Sequence, residues 1–223
     1  MSFIVLKISE LRIVLTVFFI VLVIILVLYY LASILLNSQG INFEFSLFKA
    51  LSLALSISVP VIIFLAKSLP WKYSWLSNLL GKPSVHGLWE GTLISSFNKD
   101  GVQVPPIKIY FYVKQTYFAI SLKAFTSSVT SNSTIAGVNH NSFDHSSTLF
   151  YNYELQRPLE NRITRGSANL QITENSSKLE GIYWTSMGVT GKIELQLIDR
   201  NCKKIDSYLE ILNHKQQLEN SFL

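Results

Sequence analysis

From Leu11 to Leu36 the chain reads LRIVLTVFFIVLVIILVLYYLASILL, an apolar run with a single early charge. That exceeds the roughly 20 residues a helix needs to cross a bilayer. A cleaved leader would carry an apolar stretch of only about 7 to 15 residues before a small-residue site, and no such site stands here. A second run, Leu47 to Ala66, carries Lys49, several serines and Pro60, and a short polar loop separates it from the first. A chain that has crossed once returns most economically at once, so the two runs are expected as a transmembrane hairpin. Ser52 and Ser56, one helical turn apart, suit close helix packing, either within the hairpin or between protomers. Lys7 and Arg12 precede the first span and Lys67, Lys72 and Lys82 follow the second, while the connecting loop has neither Lys nor Arg. Positive flanks stay inside, so both termini and everything after the hairpin are expected in the cytoplasm, with Trp71, Tyr73 and Trp75 as an interfacial aromatic anchor.

Beyond Gly81-Lys82-Pro83 the periodicity changes to alternation. Ile107, Ile109, Phe111 and Val113 share one face, and similar rows are formed by Leu149, Tyr151, Tyr153 and Leu155, by Ala168, Leu170 and Ile172, and by Ile193, Leu195 and Leu197. Strands are expected near 86–95, 103–114, 116–126, 132–140, 147–156, 166–173, 178–186 and 190–199. About eight antiparallel strands can close into a barrel whose interior holds side chains or one small ligand, with a two-sheet sandwich as the alternative. The fold expected is thus a membrane-anchored all-β protein: a hairpin and linker at 1–82, a barrel at 83–200 and a polar tail at 201–223. Within the tail, Ile205 to Leu218 reads as a short amphipathic helix or a disordered end.

Function-bearing signals concentrate in the β region. Gly87-Leu88-Trp89-Glu90-Gly91 places a core-type Trp between glycines, resembling the GxW of lipocalin barrels, where the Trp plugs one end. Phe125 to Thr134 is a hydroxyl-rich stretch suited to phosphate, ribose or base edges, and equally to a solvated turn. Arg157, Arg162 and Arg165 crowd around Pro158, and guanidinium groups match phosphate oxygens. Tyr117, Tyr183 and Trp184 offer flat faces for a base or for the core. His140, Asp144 and His145 form a weak metal signature without a third ligand at a recognisable spacing. No GxSxG, HExxH, Walker or GxGxxG motif is present, so no enzyme and no cofactor are expected. Cys202 is the one cysteine, which excludes an intrachain disulfide and fits a reducing compartment. The net charge of +5 lacks the basic block that a DNA or RNA polymer would call for.

Taken together, the paired spans, GLWEG, the block IKIYFYVKQTYFAISLKAFTSSVTSNS, LFYNYELQRP, RGSANL and LEGIYWTSMGVTGKIEL resemble the SMODS-associated two-transmembrane, β-strand-rich effectors of bacterial CBASS antiphage systems. Tyr117, where the pattern has Trp, and Arg165, where it has His before the Gly, depart from it. The resemblance implies a barrel that binds a cyclic oligonucleotide, typically a cyclic dinucleotide, made by a companion nucleotidyltransferase. Binding would drive self-association in the lipid bilayer and disruption of the inner membrane. It also implies a ligand site at Tyr117, Ser127, Ser128, Thr130, Arg165, Tyr183 and Thr185, with Arg157 as a further phosphate partner. The rival reading is a membrane-tethered, lipocalin-like carrier or sensor of a hydrophobic ligand.

Overall fold

The computed structural model describes residues 8–41, 46–65, 69–73, 82–141, 146–157, 162–202 and 204–221. The chain divides into two compact units, one holding the N-terminal helices and the other running from Pro70 onward.

In the first unit, α1 spans Ile8–Ser38 and α2 spans Leu47–Leu65. Their segments Leu15–Ser38 and Leu47–Phe64 are long and apolar enough to cross a membrane, with mean hydropathies of 3.0 and 2.1. Phe19, Leu28, Leu35 and Phe48 are exposed on these helices. Ser52 and Ser56, read as suiting close packing within the hairpin or between protomers, are exposed and do not form the contact within the hairpin. The contact stripe is instead Ala50, Ala54 and Ser58, all fully buried, which meets α1 where Ser33 is also buried. Small residues four apart let backbones approach. The Ser58 hydroxyl is satisfied within its own helix by the Ala54 carbonyl. Pro60 sits inside α2, where it removes the N–H that would bond the Ser56 carbonyl.

The second unit is an eight-stranded closed barrel. Its strands are β1 (Gly87–Ser95), β4 (Ile107–Gln115), β5 (Ile120–Phe125), β6 (Thr130–His140), β7 (Ser147–Arg157), β8 (Arg162–Thr173), β9 (Lys178–Thr185) and β10 (Thr190–Asp199). Between β1 and β4, the two-residue strands β2 (Asn98–Lys99) and β3 (Val102–Gln103) form a separate small hairpin. Every neighbour is antiparallel and β1 closes onto both β4 and β10, so the alternation resolves to a barrel and not a sandwich. The strand expected over 116–126 starts only at Ile120, because Thr116 to Ala119 is a turn. There the Ala119 carbonyl accepts the Thr116 N–H, and the Thr116 hydroxyl accepts the Ala119 N–H. The β5–β6 pairing is the shortest in the barrel, confined to Lys123–Asn132, Ala124–Ser131 and Phe125–Thr130. Beyond it β6 bulges between Ser133 and Ile135, and the Ser133 hydroxyl caps the Leu122 N–H.

Antiparallel order gives the barrel two ends. One, the tether end, gathers the start of β1, the β4–β5 turn and the end of β10. Here Trp89 is fully buried and donates its indole N–H to the Val85 carbonyl at 3.0 Å, filling the plug position expected of GLW. Trp71 departs from expectation: no part of it is exposed, so it is a core residue of this end and not an interfacial anchor. A 3-10 turn, Leu69–Lys72, carries it; the Ser84 hydroxyl donates to the Trp71 carbonyl, and Lys72 reaches Asn201. Tyr73 is 57% exposed, and Trp75 lies outside the described residues.

The residues after β10 fold back as α3, Tyr208–Ser221, the helical alternative for this segment. Its start is capped reciprocally, Ser207 accepting the Glu210 N–H and Glu210 accepting the Asp206 N–H. Ile211 and Tyr208 pack with Ile205 and Cys202 over Leu88, Tyr110 and Phe125 on the outer wall, while Lys215 pairs with Glu90 at 2.6 Å.

Candidate functional site

The opposite end, the mouth, gathers the β5–β6, β7–β8 and β9–β10 connections, and seven of the eight candidate ligand residues fall there. Ser127 and Ser128 are exposed at the tip of the β5–β6 hairpin, which closes through the Thr126 N–H to the Val129 carbonyl; the Thr126 hydroxyl accepts the Val129 N–H. Thr130 follows, exposed, opposite Phe125. Thr185 ends β9 and takes the Val189 N–H on its hydroxyl. Tyr183 is buried and points inward. Arg165 projects from the outer wall, its side chain 75% exposed, with Nε donating to Glu154 at 2.9 Å. The backbone of Arg157 pairs with that of Arg162 at the rim; their side chains and Pro158 lie outside the described residues.

Tyr117 is the exception. The β4–β5 turn carries it to the tether end, where its ring is buried 6.3 Å from Trp71 and the Lys82 ammonium lies 4.6 Å from its centroid. There it contributes to the seat of the 3-10 turn. His140 Nδ1 meets the Ser147 hydroxyl at 2.8 Å, while Asp144 and His145 lie outside the described residues.

Register shows what lines the mouth. The outermost inward layer holds Ser131, Leu155 and Thr164; the next holds Ser133, Tyr153, Gly166 and Thr185; below them come Ala136, Tyr151, Ala168, Tyr183, Gly191 and Ser95. The wall therefore changes from hydroxyls at the rim to tyrosines beneath, before the aliphatic and aromatic core of Trp89, Phe111, Leu149, Leu170 and Leu179. Gly166 and Gly191 make room for the rings. A Cβ on Gly166 would lie 2.4 Å from Tyr153 Cζ, and one on Gly191 would lie 2.5 Å from Tyr183 Cε1. Burial pushes the Tyr153 phenol up to about 12, with Tyr183 adding to the effect, and burial drives Tyr151 well above its ordinary value. Both stay neutral at physiological pH.

On the outer wall beside this end lies a depression of about 440 Å³ bordered by Asn152, Arg165, Ser167 and Trp184. Ser167 donates to Asn152 at 2.8 Å, Thr134 to the Asn152 carbonyl at 3.3 Å, and the Trp184 ring is 44% exposed. An exposed indole, a projecting guanidinium and neutral hydrogen-bonding groups suit a flat, anionic, sugar-bearing molecule. Asn152, Ser167 and Tyr153 were not singled out for the site from the sequence. The signal was the RGSANL and LFYNYEL alternation, whose cross-strand register only the fold supplies.

A family model described as the Cap15 cyclic dinucleotide receptor domain matches residues 80–197, more than half of the chain. The chain belongs to this family. The match covers the whole Cap15-type barrel but for the last residues of β10, and agrees with the resemblance to CBASS effectors drawn from the sequence. A curated relative, CD-NTase-associated protein 15 of Staphylococcus schleiferi, is 26% identical over 131 residues, covering 56% of this chain and 67% of the relative. Among solved structures, a redesigned β-barrel covers 52% of this chain and 92% of its own, at 14% identity and a TM-score of 0.38.

Proposed function

We propose that this Cap15-family protein is a membrane-anchored CBASS effector whose barrel binds a cyclic dinucleotide at the mouth and does not turn it over. The observation that carries the reading is the convergence at one end of Arg165, Trp184 and a ring of hydroxyls within a barrel of the receptor family. The phosphates meet Arg165, whose exposed pairing with Glu154 is exchanged for a charge-assisted contact; the bases have Trp184 and the inward tyrosines as stacking faces. Ligand that binds the self-associated state more tightly drives association, and α1 and α2 then act on the bilayer. The lysine flanks of the hairpin support a cytoplasmic barrel, where a soluble second messenger would reach it.

Thermal denaturation of the full chain in detergent, with cyclic di- and trinucleotides and with fatty acids, tests the reading. A ligand at 100 times its Kd stabilises by about 2.7 kcal/mol. Arg165→Ala should lose about 1.5–3 kcal/mol of binding, the range for a hydrogen bond to a charged group, while the ligand-free melt stays nearly unchanged because the Glu154 pair is exposed. Unchanged affinity would remove Arg165 from the site. A response to fatty acids alone would favour the carrier reading.

A further inference from the structure

The Tyr151, Tyr153 and Tyr183 side chains point inward in the two layers below the rim of the mouth. Tyr151 and Tyr183 are 3% and 5% exposed, yet among the described residues no group hydrogen-bonds any of the three phenol oxygens. Tyr151 and Tyr153 stack with centroids 5.7 Å apart, and Tyr183 occupies the same inward layer as Tyr151. The layers around them carry Ser95, Ser131, Ser133, Thr164 and Thr185 and, among the described side chains, no charge.

We infer that this tyrosine chamber receives one nucleobase of the ligand and that Tyr153 and Tyr183 discriminate between bases. The inference rests on the cyclic dinucleotide reading and deepens it. A charge-free interior is a poor place for a phosphate, which stays at the rim near Arg165, but suits a neutral planar heterocycle. Phenols that can each donate and accept match the edge of a base, and a buried pair left unmatched by the wrong base is costly enough to select strongly. Gly166 sets the depth, because a methyl there meets the Tyr153 ring first and drives it into the space the base would take.

Tyr153→Phe and Tyr183→Phe keep the rings and delete only the oxygens. In the full chain, affinities for cyclic dinucleotides that differ in a single base should diverge: at least about tenfold loss for the preferred base against about twofold or less for the others. Ligand-free melting should be unchanged or raised. Equal loss for all bases, or no loss, overturns the inference; if Arg165→Ala weakens binding in that case, the receptor reading survives alone. If no cyclic dinucleotide binds the wild-type chain, both fall. Gly166→Ala, whose Cβ meets Tyr153, should abolish the base preference as well, and a preference that persists in it also overturns the inference.

Discussion

At the scale of single residues, the tether end is poised against acid. His86 is 3% exposed, its Nδ1 accepts the Gln115 N–H at 3.3 Å, and Arg200 donates to its carbonyl. Desolvation, reinforced by the positive charges of Lys72, Arg200 and Lys114, lowers its pKa from 6.5 to about 4. The unfolded chain takes up a proton below about 6.5 that the folded chain refuses until about 4, so stability falls as pH drops through that window. The loss should amount to about 1–3 kcal/mol by pH 4. Melting followed from pH 7 to pH 4 should show it, and His86→Gln should flatten that slope. An equally steep slope in the variant would assign the acid sensitivity elsewhere. The same pole holds three buried groups without partners among the described residues, His86 Nε2, the Trp71 indole N–H and the Thr173 hydroxyl. Each costs about 1–3 kcal/mol, which the burial of the Trp71 ring helps to offset.

At the scale of elements, α3 is a structural strap. Ile211 is fully buried beneath it, whereas Leu209 is 70% exposed on the same helix. Ile211→Ala should destabilise by about 2–5 kcal/mol and Leu209→Ala by less than about 0.5, measured by denaturant unfolding of the chain in detergent. Similar losses for both would mean that the helix does not stay docked. The strap was half legible in the sequence: Ser207 and Glu210 form a capping pair, but nothing local shows that Leu88, Tyr110 and Phe125 leave an apolar patch on the outside of the wall. Strands were more legible, because alternation is a local property. Their exceptions are turns such as Thr116–Ala119, where side-chain hydroxyls close the backbone without any glycine. In α2 hydropathy identified the helix but not its contact face, since Ala and Ser carry little contrast; Ala50, Ala54 and Ser58 are inside and Ser52 and Ser56 outside.

At the scale of the whole molecule, the lysine asymmetry around the hairpin makes a definite topological prediction. Protease added to spheroplasts should leave the barrel intact and should degrade it only after the membrane is opened; digestion from outside would reverse the proposed orientation. Site legibility was a question of direction. Arg165, Thr185 and the Ser127–Ser128 turn could be grouped from the sequence, but Tyr117, only ten residues before Ser127, belongs to the other pole because one strand separates them. That strand, β5, is also the stave held least firmly, gripped by six register pairs along β4 but by three along β6, all of them near the mouth. It spans about 20 Å, the length of six residues in a strand, between the serine turn and the Tyr117 ring on which Trp71 rests.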